Sequence, residues 1–469
     1  MIRKILSLLT LMAVSLTGCT MIPEYTRPAA PVPQDWPSGP AYQESPATQK
    51  APVATDLNWR EFFADQRLQT IIETALNHNR DLRVAALNVE KARALYRIQR
   101  AELLPTLEVG ASARKERVKI SGTQGMVNLE EYSVNLGISS WEIDFFGRIR
   151  SLKKRALEEY LATEQARRSA QILLISEVAN AYLTLAADRE NLQLAQSTLE
   201  AQQASYDLIK RRFEVGFAPE LDLRQVQTRV DAARVDVARY TELAAQDENA
   251  LNLLVGSPVP EHLLPEALSV VAALPDVSPG TSSEVLLRRP DILQAESLLK
   301  AANANIGAAR AAFFPRISLT SAIGTASGDL SGLFKSGSFI WSYAPTMVMP
   351  IFEARTWPAL KATKVEREIA LTQYEKAIQG AFREVADALA RRGTLGDQMA
   401  AQQSLLEATD KAYRLSNARY QKGIDIYLNV LDAQRSLYAA EQGLIAIRLG
   451  KLANQVRLYA VLGGGGDSN

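Results

Sequence analysis

Residues 206–227 have the sequence YDLIKRRFEVGFAPELDLRQVQ, and residues 413–434 have the sequence YRLSNARYQKGIDIYLNVLDAQ. The two stretches share a tyrosine, an arginine, an aromatic residue, a glycine, a leucine and a glutamine at equivalent positions, 207 residues apart. Self-similarity at a fixed offset indicates a duplicated unit. Further matches at similar offsets place one copy at residues 59–256 and the other at residues 284–463. The sequence therefore predicts one structural repeat present twice.

The segments outside the two copies have simpler compositions. Residues 1–18 carry two basic residues and then a short apolar stretch, which is typical of a secretory signal peptide. Residues 19–58 are rich in Pro, Ala and Ser and are expected to form an extended tether. Residues 257–283 are expected to be a linker between the copies, and residues 464–469 a flexible tail. No later run of 18 apolar residues exists, so no transmembrane helix is expected.

Periodicity and the positions of Gly and Pro predict the order of elements in the first copy. The sequence indicates a helix, a β-hairpin, a long helix without Gly or Pro, a turn and a final helix, at about residues 67–104, 105–143, 148–215, 216–219 and 220–255. The second copy repeats this order, with a hairpin at about 316–350 and a long helix at about 358–422. Three glycines interrupt that second long helix and make its continuity less certain: Gly380, Gly393 and Gly396.

These lengths also predict an architecture. The two shorter helices of a copy together match the long one, which spans about 100 Å at 1.5 Å per residue. We expect them to stack end to end beside it in an elongated rod, with the strands at one end, the turns at the other and the linker at the equator. Four strands cannot close a membrane barrel, which needs at least about eight. Closure therefore requires several copies of the chain.

The composition excludes several classes of protein. The chain has 53 Lys and Arg against 52 Asp and Glu, for a formal net charge of +1, whereas nucleic-acid binders normally have a basic excess. One cysteine excludes a disulfide scaffold and a multi-thiolate metal site. Two histidines leave little material for a histidine metal centre or a Ser-His-Asp triad. We expect no enzyme, no metal and no cofactor.

Local motifs resemble one family of proteins. The run Leu16–Cys19 resembles a bacterial lipobox, in which Cys19 would be lipidated, for example with palmitate, and Thr20 after it indicates the outer membrane. Four further runs resemble the outer membrane factor family of TolC-like channels, in its lipoprotein branch: Trp141–Arg148, Arg288–Ile292, Ala301–Pro315 and Leu431–Arg435. The resemblance covers essentially the whole mature chain.

The resemblance implies a mainly helical homotrimer with a membrane β-barrel. Its twelve strands would form the barrel in the outer membrane, and its helices would form a tunnel in the periplasm, where most of the chain would lie. The implied function is the passive exit duct of a tripartite efflux pump for drugs or other small toxic compounds. Its partners would be a periplasmic adaptor, an inner-membrane transporter of the RND class and outer-membrane lipid.

Four other functions are alternatives at this stage. A duct of the same family could serve metal-ion efflux or type I protein secretion. A lipid-anchored structural coiled coil of the periplasm is a further alternative, although the alternating strands and the lack of a sustained heptad count against it. A cell-wall hydrolase is disfavoured because no pocket-like cluster or nucleophile motif is recognisable.

The resemblance also assigns residues to a gate. Leu428 and Asp432 match the family's constriction, and three Asp432 carboxylates around one axis would attract cations. Asp222 with Tyr420, helped by Arg419, matches the family's latch between the inner and outer helical hairpins. The opposing interpretation is that both aspartates are solvated on helix surfaces, as aspartates usually are. The chain departs from some relatives in carrying Asp425, where they have arginine.

Two further groups of residues are candidates for contacts. The turn residues could meet the adaptor or serve turn geometry alone: Gly216, Phe217, Ala218, Gly423 and Ile424. Aromatic residues in the predicted strands could face lipid or the membrane interface: Tyr132, Phe339, Trp341 and Tyr343.

Overall fold

The computed structural model describes residues 20–43, 51–119, 126–280 and 282–466. The expected signal peptide and Cys19 lie outside the described residues. The chain forms two compact units. One, here called the strand unit, contains the chain up to Ala29 with Asn88–Thr163 and Gln294–Tyr374. The other, here called the helical unit, contains Ala30–Leu87, Glu164–Leu293 and Glu375–Asn469.

The first repeat has the predicted order of elements. Its helices and strands are α1 (Trp59–Phe62), α2 (Gln66–His78), α3 (Arg80–Ala101), β1 (Leu107–Lys119), β2 (Met126–Ile143), α4 (Arg148–Glu214) and α5 (Glu220–Val255). The single helix expected over 67–104 is instead broken at Asn79, whose backbone is extended. Its side chain accepts a hydrogen bond from the Leu82 amide at 2.8 Å and donates to the Leu254 carbonyl at 2.8 Å. Asn79 therefore caps α3 and fastens it to α5.

The second repeat follows the same order. A 3₁₀ helix (Ser283–Arg288) precedes α6 (Pro290–Ala311), β3 (Arg316–Ser327), β4 (Phe339–Val348), α7 (Thr356–Gln421) and α8 (Tyr427–Val461). The long helix α7 is continuous through its three glycines. The duplicated mainly helical fold with two hairpins is thus confirmed.

The four strands form one antiparallel sheet in the order β1-β2-β3-β4. The central β2–β3 pair joins the two repeats, with Tyr132 opposite Ser327. Nearly all residues of β1 and all residues of β4 are exposed. Within the described residues, β1 and β4 have no strand on their outer sides. A sheet with two open edges and bare faces is not stable alone in water.

The N-terminal segment is bound to the chain rather than free. We call residues 20–43 the N-terminal strap. In the strand unit, Tyr25 and Arg27 both hydrogen-bond the Glu296 carboxylate at 3.1 Å, and the Glu296 side chain is only 4% exposed. A Cβ added to Gly307 would lie 2.6 Å from the Ile22 side chain, so the strap passes directly over α6. The expected extended tether is therefore a docked segment in this part.

The strap is also docked in the helical unit. Trp36 stacks on Phe382 of α7, with ring centroids 5.4 Å apart. The Ala41 carbonyl oxygen would lie 2.3 Å from a Cβ at Gly393. Gly393 is thus explained by the strap, because only a residue without a side chain allows this approach.

The linker and the start of the chain end both pack against other segments, although a flexible tail was expected from residue 464. Val53 forms a parallel bridge with Ser278, and Leu264 and Leu268 of the linker are buried. Gly464 and Gly465, expected at the start of a flexible tail, are buried, and the Gly465 carbonyl accepts a hydrogen bond from Gln171 at 3.2 Å. Glycine allows the chain to fold back closely here, with Gly464 directly against the Tyr459 ring.

Among the described residues, one helix is long and apolar enough to span a membrane, whereas none was expected. An 18-residue window of Arg148–Glu214 has a mean hydropathy of 1.3. However, 56% of that window is buried inside the chain, which is typical of a helix that packs against other helices. This single helix is weak evidence for a spanning segment.

Candidate functional site

The two turns that follow the long helices are built in the same way. Gly216 has a φ of 80° and Gly423 a φ of 70°, a left-handed conformation that favours glycine. After the first, Phe217 donates its amide to the Arg212 carbonyl at 2.7 Å; after the second, Ile424 donates to the Arg419 carbonyl at 3.0 Å. Both are Schellman caps. The duplication therefore extends to the hydrogen bonds of the turns.

The two turns share one hydrophobic core, which joins both repeats within the helical unit. Six of its residues are buried: Ile209, Leu223, Val226, Tyr427, Val430 and Leu431. Four partly buried residues pack against them: Tyr206, Ala218, Tyr413 and Tyr420. We call this group the turn cluster. Because both repeats contribute to it, a rearrangement of one turn must disturb the other.

The predicted latch residue Tyr420 bonds to a different partner from the one expected. Arg212 of the first repeat donates to the Tyr420 hydroxyl at 2.8 Å, and its guanidinium lies 5.7 Å from the centre of the Tyr420 ring. The ring also contacts Tyr427, with centroids 4.9 Å apart. Asp222 is half-buried nearby but makes no hydrogen bond to Tyr420 among the described residues. The hydroxyl of Tyr420 is therefore linked to the first repeat through Arg212.

Arg419, the third predicted latch residue, is engaged locally. It forms a two-pronged ion pair with Asp425, through Nε at 2.5 Å and Nη2 at 3.1 Å. The hydrogen bond from Arg419 holds the pKa of Asp425 below its usual value. Asp425, the residue that departs from some relatives, thus anchors Arg419 within the second turn. Arg419 does not contact Asp222 among the described residues.

The predicted gate residues share one face of α8. Leu428 is 48% exposed, and Asp432 follows four residues later, so the two side chains are stacked along the helix. Asp432 is 62% exposed and pairs with Arg435 at 2.5 Å. The residues between them, Val430 and Leu431, face the turn cluster. Leu428 and Asp432 therefore lie on the face that the chain's own core leaves uncovered.

The turns present apolar side chains to the outside. Phe217 is 86% exposed and Ile424 is 58% exposed, whereas Ala218 packs against the turn cluster. Leu221 and Ile426 add to this exposed apolar surface. A group of large exposed apolar residues around a turn is typical of a protein contact site.

Three of the four predicted barrel aromatics lie on one side of β4. Phe339, Trp341 and Tyr343 alternate along the strand and are all exposed. Tyr132 in β2 is half-buried, and its hydroxyl donates to Glu130 at 3.3 Å. The alternation places the first three on a single face.

The sequence contains a signal for Arg212 that the family resemblance does not include. Arg212 and Arg419 occupy the same position in the two repeats, 207 residues apart. The position equivalent to Asp425 in the first repeat is Ala218, so Arg212 has no carboxylate at the position that pairs with Arg419 in the second repeat. This difference between the repeats is the signal in the sequence that Arg212 binds a different kind of partner from Arg419.

Comparisons with known proteins agree on one family. Residues 71–257 and 281–464 match the family described as "Outer membrane efflux protein". The chain is 47% identical to two Pseudomonas putida proteins, the "Antibiotic efflux pump outer membrane protein ArpC" and the "Toluene efflux pump outer membrane protein TtgC". Each alignment covers 99% of this chain and 96% of the relative. Its fold matches the crystal structure of the open state of the Neisseria gonorrhoeae MtrE outer membrane channel with a TM-score of 0.85, at 38% identity, covering 95% of this chain and 98% of that one.

Proposed function

Since the chain belongs to the outer membrane efflux protein family, we propose that it is the passive outer-membrane exit channel of a tripartite efflux pump. Its cargo would be small toxic compounds such as antibiotics and solvents, as the names of its relatives suggest. The observation that carries the proposal is the four-stranded sheet, which in the described part of the chain has two open edges and exposes apolar aromatic residues. Further strands would pair with the open edges, and a membrane would cover the exposed aromatic residues.

The proposed channel is a homotrimer. The open edge of β4 in one copy would pair with the open edge of β1 in the next, and three copies would supply twelve strands. Closure into a barrel removes every free edge and leaves the outward face to lipid. The exposed side chains of Phe339, Trp341 and Tyr343 would then lie on that face.

Cys19 is the proposed lipid attachment site. The N-terminal strap starts at the next residue and is fixed to the strand unit by the bonds of Tyr25 and Arg27 to Glu296. A short, docked connection of this kind would hold an acyl chain close to the sheet. The acyl chain and the sheet would then both attach the strand unit to the membrane.

The proposed gate is formed by three copies of Leu428 and Asp432. Both lie on the face of α8 that the turn cluster leaves uncovered, which suits a position around a shared axis. Apolar rings exclude hydrated solutes, and rings of carboxylates favour cations. The Arg212–Tyr420 contact, with Arg419–Asp425 beside it, would hold the gate closed.

The exposed apolar turn residues are the proposed docking surface for the periplasmic adaptor. Phe217 and Ile424 offer apolar area close to the groups that would control the gate. Binding of the adaptor at these residues would act directly on the turns, which lie beside the gate. An inner-membrane transporter of the RND class would supply the energy, because the proposed channel is itself a passive duct.

Single-channel recording in planar bilayers tests the proposal. Purified protein should form pores, and Asp432→Ala should weaken cation preference and raise conductance. Asp231→Ala is the matched control, because Asp231 is also exposed and also pairs with an arginine three residues later. Absence of pores would refute the channel, whereas pores that Asp432→Ala leaves unchanged would refute only the gate.

A further inference from the structure

A basic cavity lies between the N-terminal strap and the first turns of α7. It has a volume of about 350 Å³ and is entirely within the strand unit. The strap contributes Pro23 and Glu24 to its wall, and α6 contributes Arg310. The remaining charged residues come from α7: Lys361, Lys364, Arg367 and Glu368. Four cations thus face two carboxylates.

The cations are not equally available. Arg367 is paired with Glu368 at 2.6 Å, and Arg310 donates to the Met21 carbonyl at 3.3 Å. Lys361 and Lys364 are exposed, three residues apart on one helix, and no carboxylate lies within ion-pair distance of either among the described residues. Their ammonium groups are therefore free to bind an anion at the cavity.

The wall that the strap forms is built firmly. Asn303 is buried and donates to the Pro23 carbonyl at 2.8 Å, next to the Met21 carbonyl that Arg310 binds. The strap therefore closes one side of the cavity through two hydrogen bonds to α6. A rigid wall of this kind distinguishes the cavity from a loose patch of surface lysines.

Apolar side chains just before the cavity indicate its depth in a membrane. Ile351 and Phe352, just after β4, are 96% and 90% exposed, and Trp357, the second residue of α7, is 71% exposed. Lys361 and Lys364 follow Trp357 by one and two helical turns, roughly 6 and 10 Å along α7. Exposed aromatic residues followed by lysines are typical of the boundary between lipid tails and headgroups.

We infer that this cavity binds the phosphodiester headgroup of an anionic phospholipid in the periplasmic leaflet. Lys361 and Lys364 would contact the phosphate, while the acyl chains would lie along Trp357 and Phe352. The inference rests on the proposed function, because it needs a membrane around the strand unit. It adds a specific lipid to the partners of the channel.

Native mass spectrometry of the full-length protein in neutral detergent tests the inference. Phosphatidylglycerol should bind more tightly than phosphatidylcholine with the same acyl chains. Lys361→Gln with Lys364→Gln should weaken phosphatidylglycerol binding about 30-fold, which corresponds to about 1 kcal/mol for each lysine. Lys361→Arg with Lys364→Arg should keep binding near the original level.

The matched control is Lys376→Gln with Lys411→Gln, which removes the same charge from exposed positions farther along α7. It should leave phosphatidylglycerol binding unchanged. Equal binding of the two lipids, or equal loss in both double variants, would overturn the inference. Saturation of the site by inorganic phosphate at the same concentration would show a free-anion site instead. The same preparations are then recorded in bilayers: pores without phosphatidylglycerol preference refute the lipid site alone.

Discussion

Tyr420→Phe is expected to shift the proposed channel towards its open state. The substitution removes one hydroxyl and leaves the aromatic ring, so the contact with Tyr427 and the position beneath Arg212 are retained. What is lost is the hydrogen bond from Arg212, which is 2.8 Å long and links the first repeat to the second. An exposed bond of this kind contributes about 1 kcal/mol.

The trimer multiplies this effect. If the three copies open together, three lost bonds amount to about 3 kcal/mol, or about 150-fold in the equilibrium between closed and open states. A channel that is closed most of the time would then be open for most of the recording. The overall fold should be unaffected, because Tyr420 lies at the margin of the turn cluster.

The assay is the open probability of single channels in planar bilayers, compared with Tyr413→Phe. Tyr413 packs against the same turn cluster, but its hydroxyl makes no hydrogen bond among the described residues. The control therefore removes the same atom without removing a latch. Equal open probabilities for Tyr420→Phe and the unmodified protein would refute the reasoning, and so would an equal increase in both variants.

Two further predictions concern stability. Gly396→Ala should raise the free energy of unfolding in urea by about 1 kcal/mol, because alanine has the higher helix propensity and its Cβ would meet no neighbour. Gly393→Ala should lower the free energy of unfolding by about 1–2 kcal/mol and speed hydrogen exchange in residues 36–43, because its Cβ would meet the Ala41 carbonyl. Equal changes in the two variants would contradict the docked strap. Burial and nearby Asp188 raise the pKa of Asp247 from 3.8 to about 6. The contribution of Asp247 to the stability of the folded chain is therefore fully present below pH 3.8 and is lost as the pH rises through 6. Asp247→Asn should reduce the change in the free energy of unfolding across this pH range by about 1 kcal/mol, a small figure because the residue is partly solvated. An unchanged pH profile of stability would disprove this role of Asp247.

Local sequence signals predicted the long elements well. α4 begins at Arg148, as the end of the preceding hairpin suggested, and α7 runs to Gln421, just before Gly423. Periodicity and the positions of Gly and Pro are local properties, so they are visible in a single sequence. The break at Asn79 was missed because no Gly or Pro marks it. Its cause is a bond to Leu254, which belongs to another helix.

Contacts between distant parts of the chain could not be predicted in the same way. Arg27 and Glu296 are 269 positions apart, and Arg212 and Tyr420 are 208 apart. A Pro-rich composition normally indicates a free tether, and nothing local in residues 20–43 shows that Glu296 is buried to receive them. The family resemblance gave Tyr420 as a latch residue but supplied Asp222, rather than Arg212, as its partner.

The duplication explains why Arg212 crosses to the other repeat, and this explanation can be tested. Arg212 and Arg419 start from equivalent positions in identical caps, but only the second turn has a carboxylate, Asp425, where the first has Ala218. Ala218→Asp should therefore supply Arg212 with a partner in its own turn, as Asp425 does for Arg419, and release Tyr420. The open probability of the Ala218→Asp channel should rise as it does for Tyr420→Phe. Combining the two substitutions should add little, because both remove the same bond between Arg212 and Tyr420. Additive effects in the double variant would show that Ala218→Asp acts through the turn cluster and not through Arg212.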